Sequence, residues 1–351
     1  MKRFGIIGLG NIAKVHIKAI ESLNNCQFIA GYDLVPGKAK EICSNYDNCT
    51  GYDDIEEFLA NKNLDIVTIT TPSGAHLGPA IKVIESKRHV IIEKPLEITS
   101  QRCNLIIEKA KEHGVIAAGI FQSRFYEAPK IIKKAIDAGK FGVLSICDAH
   151  VKWFRSQAYY DSAEWRGTWA LDGGGTLMNQ SIHAIDLLLW LCGPVEEVTA
   201  YTALRSHSGI EVEDTATAIL KFKNGALGVI EGTTGSYPGF LKKIDICGSK
   251  GSASIEEQNL VKYEFVDECE EDKRDFERLK NIATSEGGAS KASSIRYKYH
   301  AMVFEDVVNA IDENREPLIT ATEAKKSVEL IEAIYRSAKE KCSVKVPAWI
   351  R

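Results

Sequence analysis

The sequence predicts two α/β domains: a doubly wound parallel sheet, followed by an α/β domain with a large, open and mainly antiparallel sheet. In residues 1–121, short apolar strands alternate with helices, which is typical of a parallel sheet covered on both faces. In residues 122–351, strand-like segments dominate, and short turns join most of them. Two domains also suit a length of 351 residues.

The first domain is predicted to consist of repeated β-α units. We expect strands at 4–8, 27–32, 64–70, 89–92 and 115–119, and helices at 13–23, 36–46, 53–61, 78–86 and 99–113. Pro36 suits the first turn of its helix, Thr99 suits an N-cap, and Gly114 ends the helix that follows Thr99. Ligands of such sheets bind beyond the carboxyl ends of the strands, so the loops there are candidates for a site.

A glycine-rich turn follows the first strand. Gly8-Leu9-Gly10-Asn11-Ile12-Ala13 matches the Gly-x-Gly-x-x-Gly/Ala pattern between a strand and a helix. The first glycine permits a tight turn, the second lets a pyrophosphate approach the backbone, and the small last residue lets helix and strand pack closely. The helix N-terminus adds amide donors for phosphates. We therefore predict a Rossmann dinucleotide-binding domain with Gly8, Gly10, Asn11 and Ile12 at the cofactor.

Asp33 decides which dinucleotide is expected. It ends the second strand, where a carboxylate accepts hydrogen bonds from both ribose hydroxyls of an adenosine. The same carboxylate would repel a 2′-phosphate. The predicted cofactor is therefore NAD rather than NADP.

Two further loops lie beyond carboxyl ends of strands. Thr71-Pro72-Ser73-Gly74-Ala75-His76 follows strand 64–70, and Glu93-Lys94-Pro95 follows strand 89–92. A lysine after a strand is usually solvated, but the following proline fixes this one at a ligand-binding edge. We assign these residues to the cofactor, together with one at the crossing into the second domain: Thr71, Pro72, Ser73, His76, Glu93, Lys94 and Gln122.

The second domain is predicted to begin with a helix at 128–138 and to continue mainly as strands. We expect strands at 143–151, 195–204, 215–222, 226–234, 242–248, 251–256 and 260–265. Lys223-Asn224-Gly225 is a hairpin signal between two of them. The acidic run 267–275 is predicted to be a solvated loop and 285–294 a mobile segment. Helices are expected at 297–314 and 322–341.

The segment 172–186 carries a second set of candidate residues. Gly173-Gly174-Gly175 predicts a turn, and Thr176 suits the N-cap of an apolar helix that runs to Cys192. On this helix Asn179, His183 and Asp186 share one face. Polar groups on so apolar a helix require partners. His183 is either a core histidine held by a neighbouring amide or a functional group.

Aromatic residues alternate with arginines between 151 and 172. The runs are Trp153-Phe154-Arg155, Tyr159-Tyr160-Asp161 and Trp165-Arg166-Gly167-Thr168-Trp169. Such groups stack on sugars or nicotinamide and clamp phosphates, and the alternative is internal packing. Trp165 and Arg166 are assigned to the cofactor. An anionic or phosphorylated sugar is assigned to Arg124, Arg155, Tyr160 and His300, with Arg166 as a further candidate, although His300 could equally be a surface histidine.

Composition excludes several classes of function. The formal net charge of −4 favours neither nucleic acid nor an anionic membrane. No apolar run approaches about 20 residues, and the one after Met1-Lys2-Arg3 is too short for a secretory signal. The nine scattered cysteines lack a Cys-x-x-Cys motif and suit a reducing cytoplasm. The eight histidines show no metal-ligand spacing, so we expect no metal.

Three motifs together resemble the Gfo/Idh/MocA oxidoreductases: Gly8-x-Gly10, Glu93-Lys94-Pro95 and Gly173-Gly174-Gly175…His183-x-x-Asp186. The resemblance implies Lys94 and His183 as the catalytic pair and an open sheet that forms oligomer contacts. Many members carry Asp where this chain has Asn179, a difference that disfavours inositol-dehydrogenase activity. The active-site segments are most similar to UDP-N-acetylglucosaminuronate 3-dehydrogenases, which oxidise the sugar C3 hydroxyl with NAD.

Oxidation of a secondary alcohol requires loss of a hydride from carbon and of a proton from oxygen. Histidine has a pKa suited to a base near neutral pH, and a cation near the oxygen stabilises developing alkoxide. We therefore expect His183 to be the base, Lys94 the hydrogen-bonding cation, and Asn179 an orienting group.

The sequence thus predicts an NAD-dependent dehydrogenase of a sugar, sugar nucleotide or glycoside, assembled as a homodimer or homotetramer. Three alternatives remain open. One is an enzyme that retains NAD and cleaves a glycoside by oxidising C3 transiently. The second is an inositol or other polyol dehydrogenase, and the third is an NAD-binding sensor without catalysis.

Overall fold

The computed structural model describes residues 1–282 and 297–347, so the predicted mobile segment 285–294 lies outside the described residues. The chain forms two compact units. The first comprises Met1–Gln122 and Arg296–Lys325, and the second comprises Ser123–Ile295 and Lys326–Arg351. Sequence reasoning had given everything after residue 121 to one domain. The structure instead returns a C-terminal segment to the first unit.

The first unit contains a six-stranded parallel sheet in the order β3-β2-β1-β4-β5-β6. Its strands are β1 Lys2–Ile7, β2 Cys26–Tyr32, β3 Thr50–Tyr52, β4 Ile66–Ile69, β5 His89–Ile92 and β6 Ala117–Gly119. Its helices are α1 Asn11–Glu21, α2 Lys38–Cys43, α3 Ile55–Ala60, α4 Leu77–Glu85, α5 Ser100–His113 and, after the second unit's elements, α10 Tyr297–Asp312. Strand β1 is buried from Phe4 onward, as a central parallel strand requires. The predicted doubly wound sheet is confirmed.

The second unit is built on an eight-stranded sheet in the order β13-β12-β11-β7-β10-β9-β8-β14. Its strands are β7 Leu144–Lys152, β8 Val195–Ala203, β9 Thr215–Phe222, β10 Leu227–Thr233, β11 Lys243–Gly248, β12 Gly251–Glu256, β13 Asn259–Phe265 and β14 Val344–Lys345. Among the described strands of this sheet, only the central pair β7 and β10 is parallel. The predicted, mainly antiparallel sheet is therefore confirmed. The helices are α6 Glu127–Asp137, α7 Gln157–Asp161, α8 Ile182–Cys192, α9 Glu270–Leu279 and α11 Ala321–Glu340, whose first residues belong to the first unit.

The two faces of this sheet differ. Helix α8 packs against β7 and β11 on one face, where alternate residues of the strands are buried. On the other face, Ile219 and Leu227 are exposed on neighbouring strands. The alternation of the strands thus yields one covered face and one open face.

Two local predictions were wrong. The acidic run at 267–275 enters α9, because Cys269 and Asp272 form a capping box and Glu270, Glu271 and Asp272 occupy the first turn, where carboxylates stabilise a helix. Thr176 is not an N-cap: its hydroxyl has no hydrogen-bond partner in the described residues, and it begins a π-helical segment, Thr176–Ser181, that leads into α8.

None of the described helices combines the length and the apolar surface that crossing a bilayer requires. All nine cysteines are free thiols.

Candidate active site

The glycine turn of the first unit has room for a dinucleotide. Gly8 has φ +89°, and a Cβ there would lie 2.8 Å from the backbone nitrogen of Thr71. A Cβ on Gly10 would meet nothing within 4 Å. Helix α1 begins at the next residue, so its first amides, which have no partner within the helix, lie at this turn. The turn therefore fits the pyrophosphate of NAD.

Asp33 stands beside this turn as predicted. Its Oδ2 accepts hydrogen bonds from the Leu9 amide at 2.7 Å and from Lys38 Nζ at 2.8 Å, and its Oδ1 accepts from Val35 N at 2.9 Å. Burial alone would raise the pKa of Asp33, but these three donors lower it below its ordinary value. The carboxylate is thus ionised and fixed in place.

The two predicted loops of the first unit are joined through His76. The His76 ring lies 3.0 Å from the Pro95 carbonyl at Nδ1 and 3.0 Å from the Thr71 carbonyl at Nε2. Burial lowers the pKa of His76, although nearby carboxylates oppose this shift. His76 therefore supports the loops rather than facing solvent. Ser73 is also buried, while Thr71 and Pro72 are half-buried.

Glu93 anchors the loop that carries Lys94. Its Oε2 accepts a hydrogen bond from the Lys94 backbone amide at 2.9 Å. Its Oε1 lies 2.8 Å from His16 Nε2 and 3.4 Å from His300 Nε2. Burial opposes ionisation, but hydrogen bonds from both histidines hold the pKa of Glu93 well below its ordinary value. Lys94 itself is half-buried after β5.

His300 therefore lies beside Glu93 within the first unit and is buried, so it is not a surface histidine. Its Nδ1 is a buried atom without a hydrogen-bond partner in the described residues, and its contact with a substrate stays a prediction. His16, Glu93 and His300 offer three ligand atoms within 4.8 Å of one another. Both nitrogens of His16 already face partners, Thr68 Oγ1 at 2.9 Å and Glu93, which favours a hydrogen-bonded cluster.

Gln122 follows β6, and its Oε1 is a buried atom without a hydrogen-bond partner in the described part of the chain. An unpartnered buried acceptor costs free energy unless a ligand satisfies it. The carboxamide of nicotinamide is a donor of the right kind. This atom, like the open space at Gly10, fits the predicted cofactor.

In the second unit, Asn179 lies on the π-helical segment. Its Nδ2 donates to Asp172 Oδ1 at 2.5 Å, and its Oδ1 accepts from Gln180 Nε2 at 2.7 Å. His183 follows in the first turn of α8 and is half-buried. A π-helical turn widens the spacing of side chains and recurs at functional sites. Asn179 is thus held by an acid and an amide that sequence reasoning left unassigned, while the shared face of Asn179 and His183 stays a prediction.

The predicted arginine and aromatic cluster is also formed within the second unit. Arg155 donates to Gln180 Oε1 at 2.8 Å and is buried against Trp153 and Tyr159. The Arg166 guanidinium lies 4.2 Å from the centroid of Tyr159 and 4.6 Å from that of Trp165. Arg166 is half-buried, and its Nε has no partner in the described residues. Of these arginines, Arg166 is the better placed to bind an anion.

Two other predicted substrate residues are held inside the protein. Arg124 donates to both carboxylate oxygens of Asp186, at 2.7 and 2.9 Å, and both residues are buried. The Tyr160 hydroxyl lies 2.8 Å from Thr234 Oγ1, and burial raises its pKa. These positions support packing roles, and the proposed substrate contacts of Arg124 and Tyr160 gain nothing from them.

Sequence reasoning assigned no role to three residues that build these clusters: His16, Asp172 and Gln180. Asp172 and Gln180 lie inside the glycine and histidine segment, so their proximity along the chain was a usable signal. His16 contacts Thr68 and Glu93 across long sequence distances, which no local pattern reveals.

Comparison with known proteins identifies the family. Residues 2–120 match the NAD-binding Rossmann fold model of the Gfo/Idh/MocA oxidoreductases, and residues 133–346 match the model of their C-terminal alpha/beta domain. The chain belongs to the Gfo/Idh/MocA oxidoreductase family. It is an NAD-dependent oxidoreductase of CH–OH groups.

Individual relatives are similar along most of the chain. The structure of the WlbA dehydrogenase from Bordetella pertussis, solved with NADH and UDP-GlcNAcA, is 32% identical, has a TM-score of 0.89, and matches 99% of this chain and 98% of its own. The Chromobacterium violaceum WlbA dehydrogenase, with the same two ligands, is 31% identical at a TM-score of 0.88, over 99% of this chain and 97% of its own. Myo-inositol 2-dehydrogenase from Thermotoga maritima is 29% identical over 71% of this chain and 73% of its own length.

Proposed function

We propose that this Gfo/Idh/MocA oxidoreductase oxidises a secondary hydroxyl, at C3, of an anionic sugar nucleotide. The observation that carries the proposal is the full-length similarity, at 32% identity, to a dehydrogenase that binds UDP-GlcNAcA. The cluster of Arg155, Tyr159 and Arg166 supports it, because it combines cations with aromatic faces.

The proposed chemistry divides among three side chains. Bound NAD supplies the hydride acceptor. His183 takes the proton of the sugar hydroxyl, and the ammonium of Lys94 stabilises the negative charge that develops on that oxygen. Asn179 cannot take a proton at neutral pH. Its hydrogen bonds to Asp172 and Gln180 suit it to orient its neighbours.

The test is to follow NADH absorbance with a panel of substrates. UDP-GlcNAcA should give NADH, and UDP-GlcNAc, which lacks the carboxylate, should give less. Arg166→Ala should raise KM for UDP-GlcNAcA by about ten- to hundredfold, as loss of a charge-assisted contact does. Arg205→Ala removes an exposed arginine of the same unit and serves as the control. The proposal would be contradicted if UDP-GlcNAcA and UDP-GlcNAc gave NADH at the same rate and Arg166→Ala left that rate unchanged.

A second candidate is a polyol dehydrogenase, which the similarity to myo-inositol 2-dehydrogenase favours. Inositol carries no charge that a guanidinium could pair with. Activity on inositol should therefore be insensitive to Arg166→Ala. The same panel, extended to myo- and scyllo-inositol, separates the two candidates.

A further inference from the structure

Glu213 is a buried carboxylate in the connection between β8 and β9. Its Oε2 accepts a hydrogen bond from the Gly175 amide at 3.0 Å, and its Oε1 accepts from the Leu177 amide at 2.9 Å. The Tyr335 hydroxyl donates to the same Oε1 at 3.0 Å. Both amides belong to the turn and π-helical segment that precede Asn179 and His183. The carboxylate therefore takes the place of the N-cap that Thr176 does not provide.

The backbone around Glu213 is closely fitted. The Glu213 carbonyl accepts from the Thr176 amide at 3.0 Å. A Cβ on Gly175 would lie 1.6 Å from that carbonyl oxygen, and a Cβ on Gly174 would lie 2.2 Å from the Tyr335 hydroxyl. The glycines of this turn are thus required by the approach of Glu213 and Tyr335, and not only by the turn itself.

No lysine, arginine or histidine among the described residues forms an ion pair with Glu213. Burial raises the pKa of Glu213 to about 7, against the hydrogen bonds that lower it. Because the pKa in the folded state exceeds that of an exposed glutamate, ionisation destabilises the fold as the pH rises toward 7. A buried carboxyl that lowers the free energy of unfolding at neutral pH is typical of a functional position.

We propose that Glu213, together with Tyr335, is a positioning residue that holds the N-terminal end of the segment carrying Asn179 and His183. This inference rests on the function proposed above for His183. When Glu213 is charged, it binds two amides at the positive end of the segment. When it is protonated, one of these acceptors becomes a donor, and one of the two amides loses its acceptor.

Tyr335 on α11 is the titratable side chain that contacts Glu213, and Asp172, before the glycine turn, acts on Tyr335. Burial and Glu213 raise the pKa of Tyr335 well above its ordinary value, so the phenol stays neutral and donates. Within the neutral range the change of charge therefore falls on Glu213.

The first test uses hydrogen exchange on the free protein, so it does not depend on any substrate. At pH 8, Glu213→Gln should speed exchange of the 175–177 amides about tenfold, the effect of losing one hydrogen bond. Glu268→Gln is the control, because Glu268 is exposed after β13 in the same unit, away from this turn. Equal protection of Glu213→Gln and wild type at pH 8 would overturn the inference.

The second test is kinetic. Glu213→Gln should lower kcat at pH 8 by about ten- to hundredfold and remove one ionisation from the acidic limb, while KM for NAD stays unchanged. Tyr335→Phe keeps the ring beside Trp169 but removes a hydrogen-bond donor that lowers the pKa of Glu213. The acidic limb of the kcat profile should therefore move to higher pH. Superimposable pH profiles for wild type, Glu213→Gln and Tyr335→Phe would refute a positioning role. If wild type oxidises no sugar at all, the proposed function fails while the exchange experiment still decides this inference.

Discussion

At the scale of single residues, the hydrogen bonds around Glu93 determine the state of His16. Burial lowers the pKa of His16 more than Glu93 raises it, so the ring is neutral. Since Nε2 faces a carboxylate oxygen, the proton lies on Nε2, and Nδ1 accepts from the Thr68 hydroxyl. His16 thus holds Glu93, and Glu93 holds the backbone of Lys94. The lysine loop is fixed from within its own unit.

The roles of His183 and Lys94 can be separated by substitution. If His183 is the base, His183→Ala should lower kcat by about 10²–10⁴-fold and leave NAD affinity nearly unchanged. Lys94→Ala should lower kcat and also weaken ligand binding, because Lys94 belongs to the cofactor loop. Asn179→Ala should be milder than either. Steady-state kinetics across pH measure all three effects.

One further variant checks the same assignment. Asn179→Asp replaces the amide donor to Asp172 with a second carboxylate, so the pKa of one of the two acids should rise and an additional ionisation should appear on the acidic limb. If His183→Ala kept near-wild-type kcat while Lys94→Ala abolished turnover, the lysine would be the base.

Asp33 and Lys38 govern the choice between NAD and NADP. We expect NAD to bind at least about tenfold more tightly than NADP, or about 1.4 kcal/mol, because the fixed carboxylate repels a 2′-phosphate. Asp33→Ala should remove this preference, since it also frees Lys38 to pair with the phosphate. Titration with both cofactors measures the ratio, and Asp53→Asn, at another acid of the unit, is the control. Tighter binding of NADP by wild type would contradict the assignment.

At the scale of elements, helix α8 is attached to the rest of its unit through Arg124 and Asp186. The pair is buried and bidentate. Removing one partner leaves an unpaired buried charge, so Asp186→Asn should destabilise the second unit by about 3–5 kcal/mol in urea unfolding. The double change Arg124→Met with Asp186→Leu should recover most of that loss. If the double variant were as unstable as the single one, packing rather than charge would explain the effect.

The same segment shows where sequence reasoning ends. The strands and helices of the first unit could be predicted because apolar runs, caps and the glycine turn are local signals. The π-helical segment could not, because its form depends on Glu213, thirty-odd residues away, and on Tyr335 near the C-terminus. Likewise, the acidic residues of α9 predict a solvated loop, although three acids in a first turn also favour a helix.

At the scale of the whole chain, sequence patterns did not predict that the polypeptide returns to the first unit after forming the strands of the second. Helix α10 was predicted as a helix, yet it packs on α1 in the first unit, although it follows the second unit's strands. Its apolar residues do not reveal which core they enter. Of the candidate residues, Asp33, Glu93, Asn179 and Arg166 lie in organised polar clusters, and their roles stay predictions.

The open face of the large sheet leads to the last prediction, which concerns self-association. Tyr201, Ile219 and Leu227 are 75%, 64% and 50% exposed on three adjacent strands. The register places Ile219 opposite Val229, and Leu227 opposite Ile146, so these side chains share one surface. Apolar patches of this kind mark protein interfaces, and a second copy of the chain is the occupant that symmetry favours.

We therefore expect a dimer or tetramer at micromolar concentration by light scattering. Ile219→Glu places a charge at the centre of the patch and should shift the protein toward monomer, because burying an unpaired carboxylate in an interface is costly. Val266→Glu makes the same change at a residue that is 74% exposed but lies after β13, away from the centre of the sheet, and should leave the assembly intact. A wild-type protein that is monomeric under these conditions, or an assembly that tolerates Ile219→Glu, would show that the open face is not the interface.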